Sequence, residues 1–198
     1  MARRFPDRAG LFKLADISGR ARGVPKRPGL SARPMEPAPP TDAPPLSQWH
    51  PKVRRLYEHW QGLRPGPGLL PGRQHFDPLS VVELMPNLWM LGIDEASGRY
   101  RYRLVGTRMV EGMGRDLTGH WYDEAHPGAT GHPMHAYLQA RILAGEPTWR
   151  RGRPWLHVDP HIFEIEQVIL PLARDGHTVD LLLAITVFFY AGGVEAFR

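Results

Sequence analysis

The sequence contains no cysteine, and this absence excludes several kinds of chemistry. Disulfides, thiolate zinc sites, cysteine-ligated iron–sulfur clusters and cysteine nucleophiles all need that side chain. A flavin that forms a cysteinyl adduct is excluded for the same reason. Long apolar runs are also missing, since the longest, at 181–191, has about half the length that a membrane span needs. We therefore predict a cytoplasmic protein that does not bind a membrane.

Acidic residues are scarce at the start of the chain. Residues 1–45 hold nine basic and four acidic residues, a net of 9 − 4 = +5, whereas residues 46–198 hold sixteen of each. The same first segment contains nine of the 21 prolines and shows no apolar periodicity, a composition typical of disorder. We predict a disordered basic and proline-rich tail over 1–45, with a second candidate start at Met35. One domain over 46–192 and a C-terminal tail over 193–198 complete the predicted organisation.

Apolar spacing predicts a sequence of helices and strands within that domain. An amphipathic helix is expected over 49–63 with Ser47 as its N-cap, followed by a short helix after Asp77. Short helical segments and a longer helix over 133–144 lie between an early hairpin and three late strands. The predicted strands are 88–93, 99–104, 148–153, 163–172 and 179–190. The order after the first two helices is therefore β-β-α-α-α-β-β-β.

Three short motifs, together with this order of helices and strands, indicate a protein family. The segments YRLVGT at 102–107, GRDLTG at 114–119 and LPL at 170–172 occur in sequence at suitable spacing. Together they resemble stand-alone bacterial PAS domains over about residues 49–190. The resemblance implies an α+β fold with a PAS-like five-stranded antiparallel sheet, helices on one face and an N-terminal amphipathic helix. It further implies a sensory or signalling module that binds a small ligand, a partner protein or both, without its own output domain.

Several residues are candidates for a ligand site between the sheet and the helices. Tyr102 and Leu104 are expected to share the inward face, together with Leu183 and Ile185 of the last strand. Arg103 and Asp116 lie in the two best-matching motifs and would either form a bracing ion pair or hold a polar ligand. The remaining candidates are Thr107, Met113, Trp121, Tyr122 and Leu138. The sequence identifies neither the ligand nor a cofactor.

The last strand is apolar on both faces, which predicts self-association. If Leu183 and Ile185 fill the core, Leu182 and Phe188 point away from it, and monomers seldom expose such a stripe. The first helix offers a cover for this stripe, either in the same chain or in a second copy. We predict a homodimer, with the interface residues Trp49, Val53, Leu56, Trp60, Leu182 and Phe188.

Other chemistries have weaker support. His132 and His135 would suit a haem or metal site, but His132 precedes Pro133 and fits an N-cap or loop better, so no metal site is predicted. Glu164 and Glu166 alternate on one strand face, where glutamates are usually solvated, and no nucleophile accompanies them. We therefore predict no enzymatic activity.

The segment WRRGRPW at 149–155 mixes tryptophan with arginine, as a single-stranded nucleic-acid platform does. Nucleic-acid binding through this segment and the basic tail is the alternative function. The neutral charge of the domain favours an edge hairpin with inward tryptophans and edge-guarding arginines.

Overall fold

Residues 43–197 are described by a computed structural model, and the predictions of tail disorder and of a start at Met35 lie outside these residues, apart from 43–45. The α-helices are α1 (Pro51–Gly62), α2 (Thr107–Met113), α3 (Tyr122–Ala125) and α4 (Pro133–Leu143). Short 3-10 segments are Leu46–Gln48, Arg73–His75, Pro78–Asn87 and Ala129–Gly131. The strands are β1 (Leu88–Ile93), β2 (Tyr100–Val105), β3 (Thr148–Gly152), β4 (Ile162–Leu172) and β5 (Leu181–Tyr190).

The strands form one antiparallel sheet in the order β2-β1-β5-β4-β3. This confirms the predicted α+β fold with a five-stranded antiparallel sheet and flanking helices. Turn residues explain why the strand boundaries were predictable. Between β1 and β2, for example, the Asp94 carboxylate accepts a hydrogen bond from the Ser97 amide at 2.9 Å, and Gly98 takes a left-handed φ of 66°.

The first helix starts later than the sequence predicts. The N-cap is His50, whose Nδ1 accepts a hydrogen bond from the Lys52 amide at 3.3 Å, and not Ser47. Pro51 occupies the first helical position, where its missing N–H leaves nothing unsatisfied and its fixed φ suits the turn. The proline therefore determines where α1 begins.

One face of the sheet is covered by α1. Its inward side chains Val53, Leu56, Tyr57 and Trp60 are fully buried, and the Trp60 indole N–H donates to the Pro171 carbonyl at 2.9 Å. The helix packs on β4 and β5 of its own chain. This face of β5 is thus already covered by a helix of the same chain, and the homodimer stays a prediction.

The opposite face of the sheet meets α2 and α4, and β5 is buried on both faces. Leu183 and Ile185 lie on the side that α1 covers, whereas Leu182 and Phe188 face the other helices. The sequence predicts the reverse assignment, which is wrong for all four residues. Alternation separates the two faces of a strand, but it does not say which helix covers which face when both are apolar.

A buried carboxylate fixes the N-terminal end of α1. Glu166 on β4 is fully buried, and its Oε1 accepts hydrogen bonds from the His50 amide at 2.6 Å and from Trp149 Nε1 at 3.3 Å. Arg151 Nη1 lies 3.5 Å from the other oxygen. The expectation of a solvated glutamate is wrong here, because the helix end and β3 together enclose the side chain.

The chain folds back onto the sheet after β5. The Ala196 amide donates to the Phe188 carbonyl at 2.8 Å, and Phe197 packs against the Phe188 ring. Glu195 forms an ion pair with Lys52 at the start of α1. The segment predicted as a tail over 193–198 is therefore part of the domain as far as residue 197.

Candidate ligand site

A cavity of about 80 Å³ lies between the second face of the sheet and the helices α2, α3 and α4. At ~10–15 Å³ for each water-sized group, it has room for about six non-hydrogen atoms. Its aromatic walls are Trp89, Tyr100, Tyr102, Tyr122, Trp155 and Phe188. Such a concave, mainly aromatic space with few polar groups is typical of a small-molecule site.

The sheet supplies the floor of the cavity through strand alternation. Trp89 and Leu91 of β1 project into it, and they pair with Ala184 and Leu182 of β5. Residues of paired positions share a face, which places Leu182 and Phe188 in the same layer. The floor is therefore built from the strands at the centre of the sheet.

Helix α2 approaches this floor closely because Gly112 has no side chain. A Cβ at that position would lie 2.6 Å from the Phe188 ring, closer than carbon atoms can come without displacement. The ring fills the space beside the helix and forms part of the cavity wall. A side chain at position 112 would therefore displace either α2 or the Phe188 ring, and so change the shape of the cavity.

Tyrosine and histidine side chains pack together at one end of the cavity. Tyr102 Oη lies 2.9 Å from His126 Nε2. Burial lowers the pKa of His126 to about 4 and raises the pKa of Tyr102, so the imidazole and the phenol are both neutral at pH 7. His135 of α4 stacks on Tyr122 with ring centroids 5.6 Å apart. The cluster provides an uncharged, rigid wall.

The predicted ligand residues fall into two groups. Tyr102, Met113, Tyr122 and Leu138 line the cavity. Thr107 is exposed at the start of α2, and the Trp121 ring lies under the Arg99 guanidinium at 4.4 Å. These last two predicted contacts do not border the cavity, and the Trp121 ring is held outside it by the cation–π contact.

Arg103 and Asp116 are also exposed and outside the cavity. The Arg103 side chain lies across Gly92 of the neighbouring strand. Asp116 Oδ1 accepts a hydrogen bond from the Thr118 amide at 2.8 Å, and this local turn lowers the pKa of the carboxyl. The predicted bracing ion pair does not form, since Arg103 lies across the neighbouring strand and Asp116 is engaged within its own turn.

Sequence reasoning missed the polar residues of the cavity. Arg150, Gln167 and Thr186 lie in one row across β3, β4 and β5, and all three border the space. Gln167 Nε2 and Trp89 Nε1 both donate to Thr186 Oγ1, at 3.1 and 3.0 Å. The alternation of side chains along β3 could have indicated Arg150, because it places this residue on the opposite face from its two neighbours.

The tryptophans of the segment 149–155 do not form a common surface. Trp149 stacks on Trp49 beside α1, with centroids 5.5 Å apart, whereas Trp155 stacks on His132 and borders the cavity on the other side of the sheet. Both pack inward, as expected of the edge strand β3. A base-stacking platform needs neighbouring exposed rings, so this geometry does not support the nucleic-acid alternative.

The two histidines considered for haem or metal have separate structural roles. His132 caps α4, with its Nδ1 accepting a hydrogen bond from the Met134 amide at 3.1 Å, and His135 is part of the aromatic wall. Over residues 43–197, no three histidine, aspartate or glutamate side chains are grouped as a metal site requires. Within the same part of the chain, no helix has the length and apolar character for crossing a bilayer.

The sheet order, the helical layer and the cavity between them agree with a comparison against known families. A family profile described as PAS domain matches residues 48–187, well over half of the chain. The chain therefore belongs to the PAS domain family. No curated protein matches it.

Proposed function

We propose that this protein is a sensory module that binds a small molecule in the cavity and passes the signal to a partner protein. Membership of the PAS domain family supports the sensory role. The observation that favours a small-molecule signal is the aromatic cavity between the sheet and α2 to α4. No catalytic step is part of this proposal.

Finer attributes belong to the same proposal. The motifs quoted above favour a bacterial PAS domain, and the cysteine-free composition favours the cytoplasm. A signalling partner protein and a second copy of the chain are the expected macromolecular partners. The ligand is expected to be small and largely apolar, since the aromatic and aliphatic walls offer few polar contacts.

The experiment is a titration of the isotope-labelled full chain with benzene, followed by NMR chemical shifts. Benzene has about the size that the cavity accommodates, and apolar cavities of proteins bind it. We expect shifts at residues bordering the cavity. In Met113→Trp, the larger side chain is expected to fill the space and weaken binding at least tenfold.

The matched control is Leu79→Trp, which places the same side chain on an exposed position outside the cavity, where 78% of Leu79 is accessible. This variant should bind benzene like the wild type. Shifts that are absent from the cavity residues, or that persist unchanged in Met113→Trp, would contradict the proposed function.

A further inference from the structure

Arg150 brings a charged group into an otherwise apolar space. It lies on β3 and borders the cavity, whereas Arg151 beside it faces the other side of the sheet and pairs with Glu164 and Glu166. Arg150 Nη2 donates to the Arg153 carbonyl at 2.6 Å, which orients the guanidinium. Its Nη1 is buried and has no hydrogen-bond partner. Most buried polar atoms in proteins do have one, so this atom requires an explanation.

No carboxylate of the described chain neutralises the Arg150 charge. The residues that border the cavity include neither aspartate nor glutamate. Burial lowers the pKa of Arg150, and no neighbouring acid offsets that effect. A partly buried cation without a counter-charge is unfavourable, and an anion that enters the cavity would relieve it.

The surroundings of Arg150 give the cavity two chemically different ends. Across the sheet, Arg150 is opposite Gln167, and Gln167 is opposite Thr186. Thr186 Oγ1 already accepts two hydrogen bonds, which leaves its hydroxyl proton available to donate. The polar row therefore presents donors, while the rest of the wall is mainly aromatic and aliphatic, with Gln139 of α4 as a further polar residue.

We propose that the cavity binds a small monocarboxylic acid, with its carboxylate against Arg150 Nη1 and its apolar body against the aromatic wall. This inference rests on the proposed function and specifies its ligand class. Guanidinium groups form strong, charge-assisted hydrogen bonds with carboxylates. The cavity volume accommodates about six non-hydrogen atoms, the size of butyrate.

The test compares butyrate with butyramide, which has the same shape and no charge. Both are titrated into the full chain at pH 7, and the dissociation constants are obtained from NMR shifts of cavity residues. We expect butyrate to bind at least about tenfold more tightly, as a charged hydrogen bond predicts. This comparison needs no variant and is independent of any effect of substitution on folding.

Variants then assign the preference to one residue. Arg150→Gln should weaken butyrate binding at least about tenfold and change butyramide binding less than about twofold. Arg174→Gln removes one positive charge from an exposed site, where 85% of the side chain is accessible, and should change neither constant.

Two outcomes would overturn the acid assignment, namely equal affinity for butyrate and butyramide, or unchanged butyrate binding in Arg150→Gln. If benzene still binds in the cavity, only the acid assignment fails. If neither benzene nor butyrate perturbs the cavity, the proposed function fails with it.

Discussion

His126 is a neutral imidazole in a buried site, and its protonation is linked to folding. Only 8% of the residue is exposed, and its ring contacts Tyr102 and Tyr122. Burial is the main cause of the lowered pKa, and the positive charge of Arg115 adds to it. A proton on this ring would face an apolar wall and a nearby cation, so the folded state resists protonation.

This linkage predicts a loss of stability in mild acid. The pKa falls from 6.5 to about 4 on folding, so between these values the unfolded state binds more protons and stability rises with pH. The contribution of His126 to the free energy of unfolding is fully present above about pH 6.5. It should fall by about 2 kcal/mol between pH 7 and pH 5. Urea unfolding at both pH values measures it.

The histidine effect is isolated by two glutamine variants. His126→Gln should show a smaller decrease in the free energy of unfolding between pH 7 and pH 5 than the wild type. His120→Gln, at an exposed position, should retain the wild-type decrease. Equal pH dependence in all three proteins would show that His126 does not titrate as described.

Among elements, α1 is attached at its N-terminal end by the fully buried carboxylate of Glu166, in addition to the ion pair between Lys52 and Glu195. Glu166→Ala would leave the His50 amide and the Trp149 indole N–H without their acceptor. Leaving these two partly buried donors without an acceptor is expected to cost about 3 kcal/mol of the free energy of unfolding. Hydrogen exchange of the α1 amides should also become faster in this variant.

Glu164→Ala provides the control for Glu166→Ala. Glu164 also pairs with Arg151, but 30% of its side chain is exposed, and an exposed ion pair contributes only about 0.5 kcal/mol. Urea unfolding should separate the two variants clearly. If they lose equal stability, Glu166 does not anchor the helix.

The order of elements was predictable because each boundary has a local chemical cause. Asp77 accepts a hydrogen bond from the Leu79 amide at 3.0 Å and begins a 3-10 segment at Pro78. Gly98 closes the first hairpin with its left-handed φ. Residues near in sequence produce these features, so the sequence alone indicates them.

Side-chain placement across the sheet was less predictable, because it depends on distant partners. The β1–β2 register shifts between Met90 and Leu91, so Leu104 pairs with Met90 and Tyr102 with Leu91. Tyr102 and Leu104 therefore do not share the face that alternation predicts, because an irregularity reverses the direction of subsequent side chains. Tyr102 was correctly placed at the cavity, whereas Arg150 was missed because its role depends on Gln167 and Thr186.

At the scale of the whole molecule, two predictions are distinct. One is that the protein forms a homodimer, and the other is that the named residues form its interface. Leu56 is fully buried beneath α1, and Phe188 borders the cavity with 1% exposure. A dimer through Leu56 would require α1 to leave its own sheet, and a dimer through Phe188 would require α2 to move away from the opposite face. The homodimer remains a prediction, and a surface patch elsewhere would serve it equally.

The variant Leu56→Glu distinguishes packing of α1 on its own sheet from packing of α1 on a second copy of the chain. A carboxylate at a fully buried site should reduce the free energy of unfolding by at least about 3 kcal/mol. We therefore expect this variant to unfold, and we do not expect it to convert a dimer into a folded monomer. Light scattering combined with urea unfolding measures mass and stability together. Leu79→Glu, at an exposed position, should change neither.

A folded Leu56→Glu protein with half the wild-type mass would contradict this expectation. It would show that α1 packs across a second copy in solution.

The position of β5 has a consequence for how the chain folds during synthesis. This strand is the last of the five in sequence, yet it lies in the centre of the sheet, between β1 and β4. A nascent chain that still lacks residues 181–190 holds two separate hairpins, each with an unpaired apolar edge. Pairing over long sequence separations is slow, and exposed edges promote aggregation. The final strand must therefore emerge from the ribosome before the two halves can join, and until then both apolar edges are open to aggregation.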